Sequence, residues 1–136
     1  MALVVRSLAC TYYDGFHIEP HRHGWAQLVY AVAGVMSVRA DGMLWTVPPA
    51  RAVWVPAGVE HEIRALGDFA MRTVYFVPEL VEHLPRECCA LDVPPLLREL
   101  VLAIVTIQLI DEADEPGMRL AAVAIDRIAA ARVLPL

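Results

Sequence analysis

Apolar and turn-forming positions divide the first 80 residues into short segments with no helical spacing between them. The clearest apolar segments, rich in Val, Tyr, Trp and Phe, are WAQLVYAVA (25–33), VMSVRA (35–40), RAVWVP (51–56), HEIRAL (61–66) and FAMRTVYFV (69–77). Asp41-Gly42 between two apolar segments favours a tight hairpin, because both central turn positions take a positive φ. The pattern predicts an antiparallel β-sandwich or small barrel, with one strand ending at Gly34.

The pattern changes after Pro78 to one that favours helices. Pro94-Pro95 opens LLRELVLAIVTIQLI, the polar DEADEPG interrupts it, and MRLAAVAIDRIAAARV follows, so residues 94–132 predict a two-helix hairpin. The first helix is apolar on more than one face, so one face can lie on the sheet while another contacts a second copy of the chain. The candidate homodimer interface consists of Leu97, Leu100, Val101, Ile104 and Val105. We therefore expect a barrel at 1–80 and a packing and dimerisation hairpin at 81–136 within one structural unit.

Composition and charge narrow the class of protein. The chain has 136 residues, of which 58% are hydrophobic, enough for one domain with a real core and a further apolar face. A net charge of -5 argues against direct binding of nucleic acid. The longest apolar run, LVLAIVTIQLI, is shorter than the roughly 20 residues that span a bilayer, and no signal peptide precedes the first strand. Three cysteines, two of them adjacent, fit a reducing cytoplasm.

The stretch HRHGWAQLVYAVAG carries the candidate chemistry. If it forms one strand, alternation places His21, His23, Trp25 and Gln27 on the same face, so two imidazoles and an amide oxygen lie together. His61 follows the turn of VPAGVEH, and a small barrel can bring it across the interior to the same point. These residues predict a metal site; the alternative is a pair of partly exposed histidines that cap a strand start.

An effector pocket is the second expectation. Trp25 shares the face of the histidines, and Trp54 and His17 are further candidates to line the pocket. Aromatic residues of small barrels also serve as core, and Glu19-Pro20 can bend the chain so that His17 is solvated. The sequence contains no Ser-His-Asp arrangement, glycine-rich phosphate loop or HExxH, and we name no catalytic residue.

Two segments resemble the sequence motifs of the cupins. His21, His23, Gln27 and Gly34 occur at the spacings of the first cupin motif, and PAGVEH resembles the second, which ends at His61. The resemblance implies a cupin-type double-stranded β-barrel (a jelly roll) with the histidines inside, followed here by the two-helix hairpin. Gln27 stands where cupins usually have Glu, which keeps an oxygen donor but removes a negative charge. Imidazole donors then favour Zn²⁺, Ni²⁺ or Cu²⁺ over Fe or Mn.

Nearly the whole chain resembles the sensing domain of AraC-type transcription regulators, from HRHGWAQLVYAVAG through FVP to DVPPLLRELVLAIV and RLAAVAIDRIAA. The resemblance implies a barrel that binds a small-molecule or metal effector, helices that mediate dimerisation, and DNA contact only through a helix-turn-helix domain that this chain lacks. Such a chain is an excised domain or a natural stand-alone form. The alternatives are a small metal-dependent cupin enzyme, a dioxygenase or isomerase, and a stand-alone metal- or sugar-binding cupin.

Overall fold

The computed structural model describes residues 2–135, which form a mainly β chain with two helices near the C-terminus. The strands are β1 (Leu3–Tyr12), β2 (His17–His21), β3 (Ala26–Ala40), β4 (Met43–Val47), β5 (Arg51–Val55), β6 (His61–Phe76), β7 (Cys89–Asp92), β8 (Leu109–Asp111) and β9 (Val133–Leu134). The helices are α1 (Pro95–Ile107) and α2 (Glu115–Ala130), and a short 3₁₀ helix spans Pro78–Leu80. The predicted β class and the two C-terminal helices are confirmed.

The two longest strands, β3 and β6, pair antiparallel from Ala26 opposite Phe76 to Ala40 opposite His61. Along the C-terminal half of β6, the strands lie in the order β8-β1-β6-β3-β5-β7-β9. We call this part the large sheet. Toward the other end, β2 pairs with β6 and β4 pairs with β3, forming the small sheet. The two sheets therefore share β3 and β6, as a jelly roll requires.

Gly34 lies at the bend of β3 and does not end the strand. The register of β3 against β6 shifts on both sides of Ala33, and Gly34 has φ +83°. A β-carbon at Gly34 would lie 2.2 Å from the Asp68 carbonyl oxygen. The prediction that the strand ends at Gly34 is wrong, because a bulge with a left-handed glycine bends the chain and lets pairing continue.

Alternation along the shared strands produces two cores. Val29 and Ala31 face the interior between the two sheets, where they pack with Met36, Val38 and Ile63. Leu28 and Tyr30 face the opposite side, where the large sheet packs against α1 and α2. Because both faces of β3 are buried here, its first half is a nearly continuous apolar run rather than an alternating one.

Helix α1 lies on the large sheet through its buried residues Leu97, Val101 and Ile104. These three residues of the predicted dimer interface therefore belong to the core of one protomer, and Leu100 and Val105 are partly buried against it. A neighbouring row of α1 lies at helical spacing and is exposed at its two ends. This outer stripe consists of Leu96, Leu100, Ala103 and Ile107, with Leu96 55% and Ile107 46% exposed.

Three short strands after residue 80 complete the large sheet, although the sequence analysis found only helices there. Strand β7 pairs with β5 and β9, and β8 pairs with β1, with Leu109 opposite Arg6. Next to this pairing, the Ser7 hydroxyl donates to the Gln108 carbonyl oxygen at 3.2 Å, just after α1 ends. Within residues 2–135, no helix combines the length and the apolar character needed to cross a bilayer.

Candidate metal centre

The four predicted ligands come from one strand end, two strand starts and a loop. His21 is the last residue of β2 and pairs with His61, the first residue of β6. His23 lies in the loop that follows, and Gln27 is the second residue of β3. The single strand assumed in the sequence analysis is therefore interrupted between His21 and Ala26.

The side chains nevertheless converge. One ring nitrogen from each of His21, His23 and His61 lies within 4.8 Å of the others, and the ring centroids are 4.3–5.6 Å apart. His61 is buried with 1% exposure, whereas the other two histidines are half-buried. The cluster is thus buried on the side of His61 and partly open to solvent on the side of His21 and His23.

Each imidazole is oriented by a backbone carbonyl two residues away. Nδ1 lies 2.9 Å from the Glu19 oxygen in His21 and 2.8 Å from the Trp25 oxygen in His23. In His61 it lies 2.9 Å from the Val59 oxygen. A carbonyl oxygen only accepts, so Nδ1 carries the proton and donates in all three rings. In the neutral tautomer each Nε2 is then a bare lone pair, the form that binds a metal.

Thr73 determines the orientation of the Gln27 amide. The Thr73 hydroxyl donates to the Leu28 carbonyl oxygen at 2.8 Å, and it accepts from Nε2 of Gln27 at 2.8 Å. Because the single hydroxyl proton is used on Leu28, the amide nitrogen of Gln27 must face Thr73. Its oxygen Oε1 therefore faces the histidines, 3.1 Å from Nε2 of His23 and 3.1 Å from Nε2 of His61.

Lone pairs of nitrogen and oxygen thus meet in a buried site without a proton between them. Burial lowers the pKa of His61 to about 4, an effect that the neighbouring His21 and His23 reinforce and the Val59 carbonyl opposes. His61 is therefore neutral near pH 7 and has one proton for two acceptors, the Val59 and Gln27 oxygens. A cation at this point resolves the conflict, so the donor set fits a divalent transition metal.

Three residues beside the cluster were missed as a group by the sequence analysis. The Tyr75 ring packs edge-on against His23, with centroids 5.5 Å apart. The Arg6 guanidinium carbon lies 4.4 Å from the Tyr75 centroid and 5.0 Å from that of Trp25. Trp25 was a pocket candidate, and its ring borders the site through Arg6. Arg6 and Tyr75 are brought beside the cluster by the pairing of β1 with β6 and of β6 with β3. This strand register could not be predicted from the sequence.

The remaining pocket candidates lie elsewhere. Nε2 of His17 donates to the Glu62 carboxylate at 2.6 Å, and this carboxylate also lies 3.3 Å from Arg39. His17 is therefore outside the histidine cluster. Trp54 is 1% exposed on the helix side of the large sheet, where its ring nitrogen donates to the Pro85 carbonyl oxygen at 2.9 Å. Trp54 therefore belongs to the core under the helices and faces away from the histidines.

Within residues 2–135, the adjacent cysteines belong to no group of three or more potential metal ligands. Burial raises the pKa of Cys88 to about 12 and also raises the pKa of Cys89. Both sulfurs are therefore protonated thiols near neutral pH, and thiolate is the form that binds metals.

Comparison with known proteins points in one direction. Residues 6–128 match the family model of the AraC-like ligand binding domain. The HTH-type transcriptional regulator NimR of Escherichia coli (strain K12) is 33% identical over 108 residues, which cover 79% of this chain and 39% of that protein. The chain therefore spans well under half the length of this relative.

Solved structures show the same barrel. A cupin superfamily protein from Desulfitobacterium hafniense DCB-2 superposes with a TM-score of 0.53 at 20% identity, covering 54% of this chain and 68% of that one. The DMSP lyase DddQ from Ruegeria pomeroyi DSS-3 gives a TM-score of 0.51 at 17% identity, covering 54% and 38%. At these identities the similarity shows the fold alone, and it confirms the predicted cupin barrel.

Proposed function

Because this chain belongs to the family of AraC-like ligand-binding domains, we propose that it is the effector-sensing part of a transcription regulator and senses through its barrel interior. DNA is then bound by a helix-turn-helix domain outside these residues. The similarity to NimR, described as an HTH-type regulator, supports this proposal, as does the net charge of -5, which suits DNA contact elsewhere.

The site of sensing is the histidine cluster and the cleft beside it. A divalent cation is held by Nε2 of His21, His23 and His61, with Oε1 of Gln27 as a further donor. All four are neutral, so Zn²⁺, Ni²⁺ or Cu²⁺ suits them better than Fe or Mn. A cation held by these residues would supply a Lewis-acidic position at which an oxygen or nitrogen of the effector could bind. The convergence of these lone pairs, with every Nδ1 tied to the backbone, is the observation that supports the metal.

Elemental analysis tests this assignment. The purified chain is loaded with zinc, dialysed and compared with the double variant His21→Asn, His61→Asn. We expect stoichiometric zinc in the parent and a loss of nearly all of it in the variant. His83→Asn is the matched control, because His83 is exposed and remote from the cluster. Equal zinc in the parent and the double variant would exclude the site.

A metal-dependent cupin enzyme is the second candidate, favoured by the same three histidines and by the fold shared with DMSP lyase DddQ. Gln27 counts against it, because an amide does not supply the negative charge that the usual acid gives to iron or manganese. The regulator relative and the family match favour a binding domain. We expect the zinc-loaded and iron-loaded chain to bind small molecules without converting them, as judged by mass spectrometry of the recovered ligand.

The regulator also functions as a homodimer, through the outer stripe of α1 rather than its buried face. The row is apolar, exposed at Leu96 and Ile107 and partly buried at Leu100 and Ala103. A two-fold axis brings the same stripe of a second copy against it, so that each stripe covers the other.

A further inference from the structure

Arg6 is a cationic side chain beside the histidine cluster that has no anionic partner. Its guanidinium lies over the rings of Tyr75 and Trp25, and its Nε is buried without a hydrogen-bond partner. Within residues 2–135, Arg6 makes no ion pair and no side-chain hydrogen bond. A buried donor of this kind costs free energy unless something accepts from it.

Several other charged groups around the cluster are paired, unlike Arg6. Arg22 donates to Glu60 at 2.8 Å, and Glu62 lies 2.6 Å from His17 and 3.3 Å from Arg39. The carboxylates of Glu60 and Glu62 are therefore already paired. Arg6 contacts the two aromatic rings through the plane of its guanidinium, and these contacts do not use the N–H groups at its edge. The edge carries the N–H donors that fit a carboxylate in two parallel hydrogen bonds.

The surface next to Arg6 is apolar. Leu109 is paired directly opposite Arg6 and is 57% exposed. Leu8 follows two positions along β1, so it lies on the same face of the large sheet, and it is 43% exposed. Apolar side chains around one unpaired guanidinium suit a ligand with a hydrophobic body and one negative group.

We propose that Arg6 recognises the carboxylate of the effector, which is a small apolar carboxylic acid whose body lies against Leu8 and Leu109. The inference rests on the proposed sensing function and names its ligand class. It does not require the metal, because the Arg6 side chain is positioned by Tyr75 and Trp25. The guanidinium of Arg6 is a positive charge beside the imidazole cluster, and an anion is the charge that it stabilises.

Binding of matched probes by calorimetry tests the proposal on the full chain. Phenylacetate and hexanoate are the carboxylates, and phenylacetamide and hexanamide are their uncharged counterparts. We expect the acids to bind about tenfold or more tightly than the amides, which corresponds to one charge-assisted hydrogen-bonded pair. Inorganic phosphate should bind more weakly than either acid, since it gains nothing from the leucines.

Variants identify the residue responsible. Arg6→Gln should weaken binding of the acids about tenfold or more and leave the amides unaffected. Arg6→Lys should fall between, because it keeps the charge and loses the planar fork. Arg22→Gln is the matched control, since Arg22 is exposed and already paired, and it should bind like the parent. If Arg6→Gln fails to fold, carboxylate recognition is still tested by the acid–amide comparison in the parent and by Arg6→Lys.

Three results would overturn the inference. They are acids that bind no better than amides, acid binding that survives in Arg6→Gln, and phosphate that binds more tightly than both acids. Zinc content measured on the same samples separates this outcome from failure of the metal assignment. A parent chain that holds zinc but ignores carboxylates rejects only the ligand class.

Discussion

Thr73 orients Gln27, the proposed oxygen donor of the metal site, and is not itself one of the proposed ligands. Its hydroxyl fixes the amide so that Oε1 faces the histidines. Thr73→Val keeps the shape of the side chain but lets the amide turn, so we expect zinc affinity to fall about 10–100-fold, the usual effect of losing a group that orients a ligand. Competition with a chromophoric chelator measures it.

Thr46→Val is the matched control for this change, because Thr46 is exposed on β4. It should leave zinc affinity unchanged. Equal affinity of Thr73→Val and the parent would show that Gln27 is not held as described.

His61 makes the metal-free chain sensitive to acid. Its pKa is lowered from the ordinary 6.5 to about 4, chiefly by burial. Between about pH 6.5 and pH 4, His61 is protonated in the unfolded chain but not in the folded chain. The free energy of unfolding is therefore undiminished above about pH 6.5 and declines as the pH falls toward about 4. Urea unfolding across this range, with chelator present, should show the decline, and His61→Gln should reduce its slope. His83→Gln, which changes an exposed residue, should keep the parent slope.

The candidate donors were recognisable in the sequence because they lie in two short motifs. His21, His23, Gln27 and His61 are the residues that the structure brings together, although the strand assumed to align them is interrupted. Thr73 and Arg6 were not recognisable, since each acts through a partner on another strand. Nothing local distinguishes Thr73 from any other threonine of a strand.

At the scale of elements, the bend of β3 depends on Gly34. An alanine there must take φ near +83° and would place its β-carbon 2.2 Å from the Asp68 carbonyl oxygen. Gly42→Ala has a similar φ of +72° with no atom within 4 Å, so it should cost only about 1–2 kcal/mol. We expect Gly34→Ala to lose clearly more, because the backbone of β6 must move. Urea denaturation compares the two, and equal losses would contradict the role of the bend.

The two faces of α1 have separable roles. Leu96→Glu with Ile107→Glu places charge on the outer stripe, and we expect the dimer dissociation constant to rise about tenfold or more with little change in stability. Leu97→Ala should instead lower the free energy of unfolding by about 2–5 kcal/mol, because Leu97 is buried, while the dimer persists. Analytical ultracentrifugation and urea unfolding measure the two effects. A dimer unaffected by the glutamates would move the interface elsewhere.

Element types were predictable from local patterns, whereas their ends and partners were not. The apolar faces of α1 were visible in the sequence, but which face meets the sheet depends on how the helix is docked. Strands β8 and β9 have three and two residues, too few for alternation to be detected. They exist because β1 and β7 offer free edges to pair with.

For the molecule as a whole, metal binding should act as a stabilising ligand, because the cluster joins β2, β3 and β6. With free zinc at about 100 times its dissociation constant, the folded state gains about 2.7 kcal/mol. Adding chelator should therefore lower the melting temperature of the zinc-loaded chain, as measured by calorimetry. The double variant His21→Asn, His61→Asn should melt at the same temperature with and without zinc, and a chelator effect on it would point to another site.

The bond from Ser7 to the end of α1 has a consequence for signalling. Arg6 and Ser7 are neighbours in β1, so they face opposite sides of the large sheet, one toward the cleft and the other toward the helix that bears the outer stripe. A ligand that binds Arg6 therefore contacts the same stretch of β1 backbone whose Ser7 is hydrogen-bonded to the C-terminal end of α1. In the proposed dimer, an effect of ligand binding at Arg6 then has to cross only the thickness of one sheet, through β1, to reach the helix that bears the outer stripe.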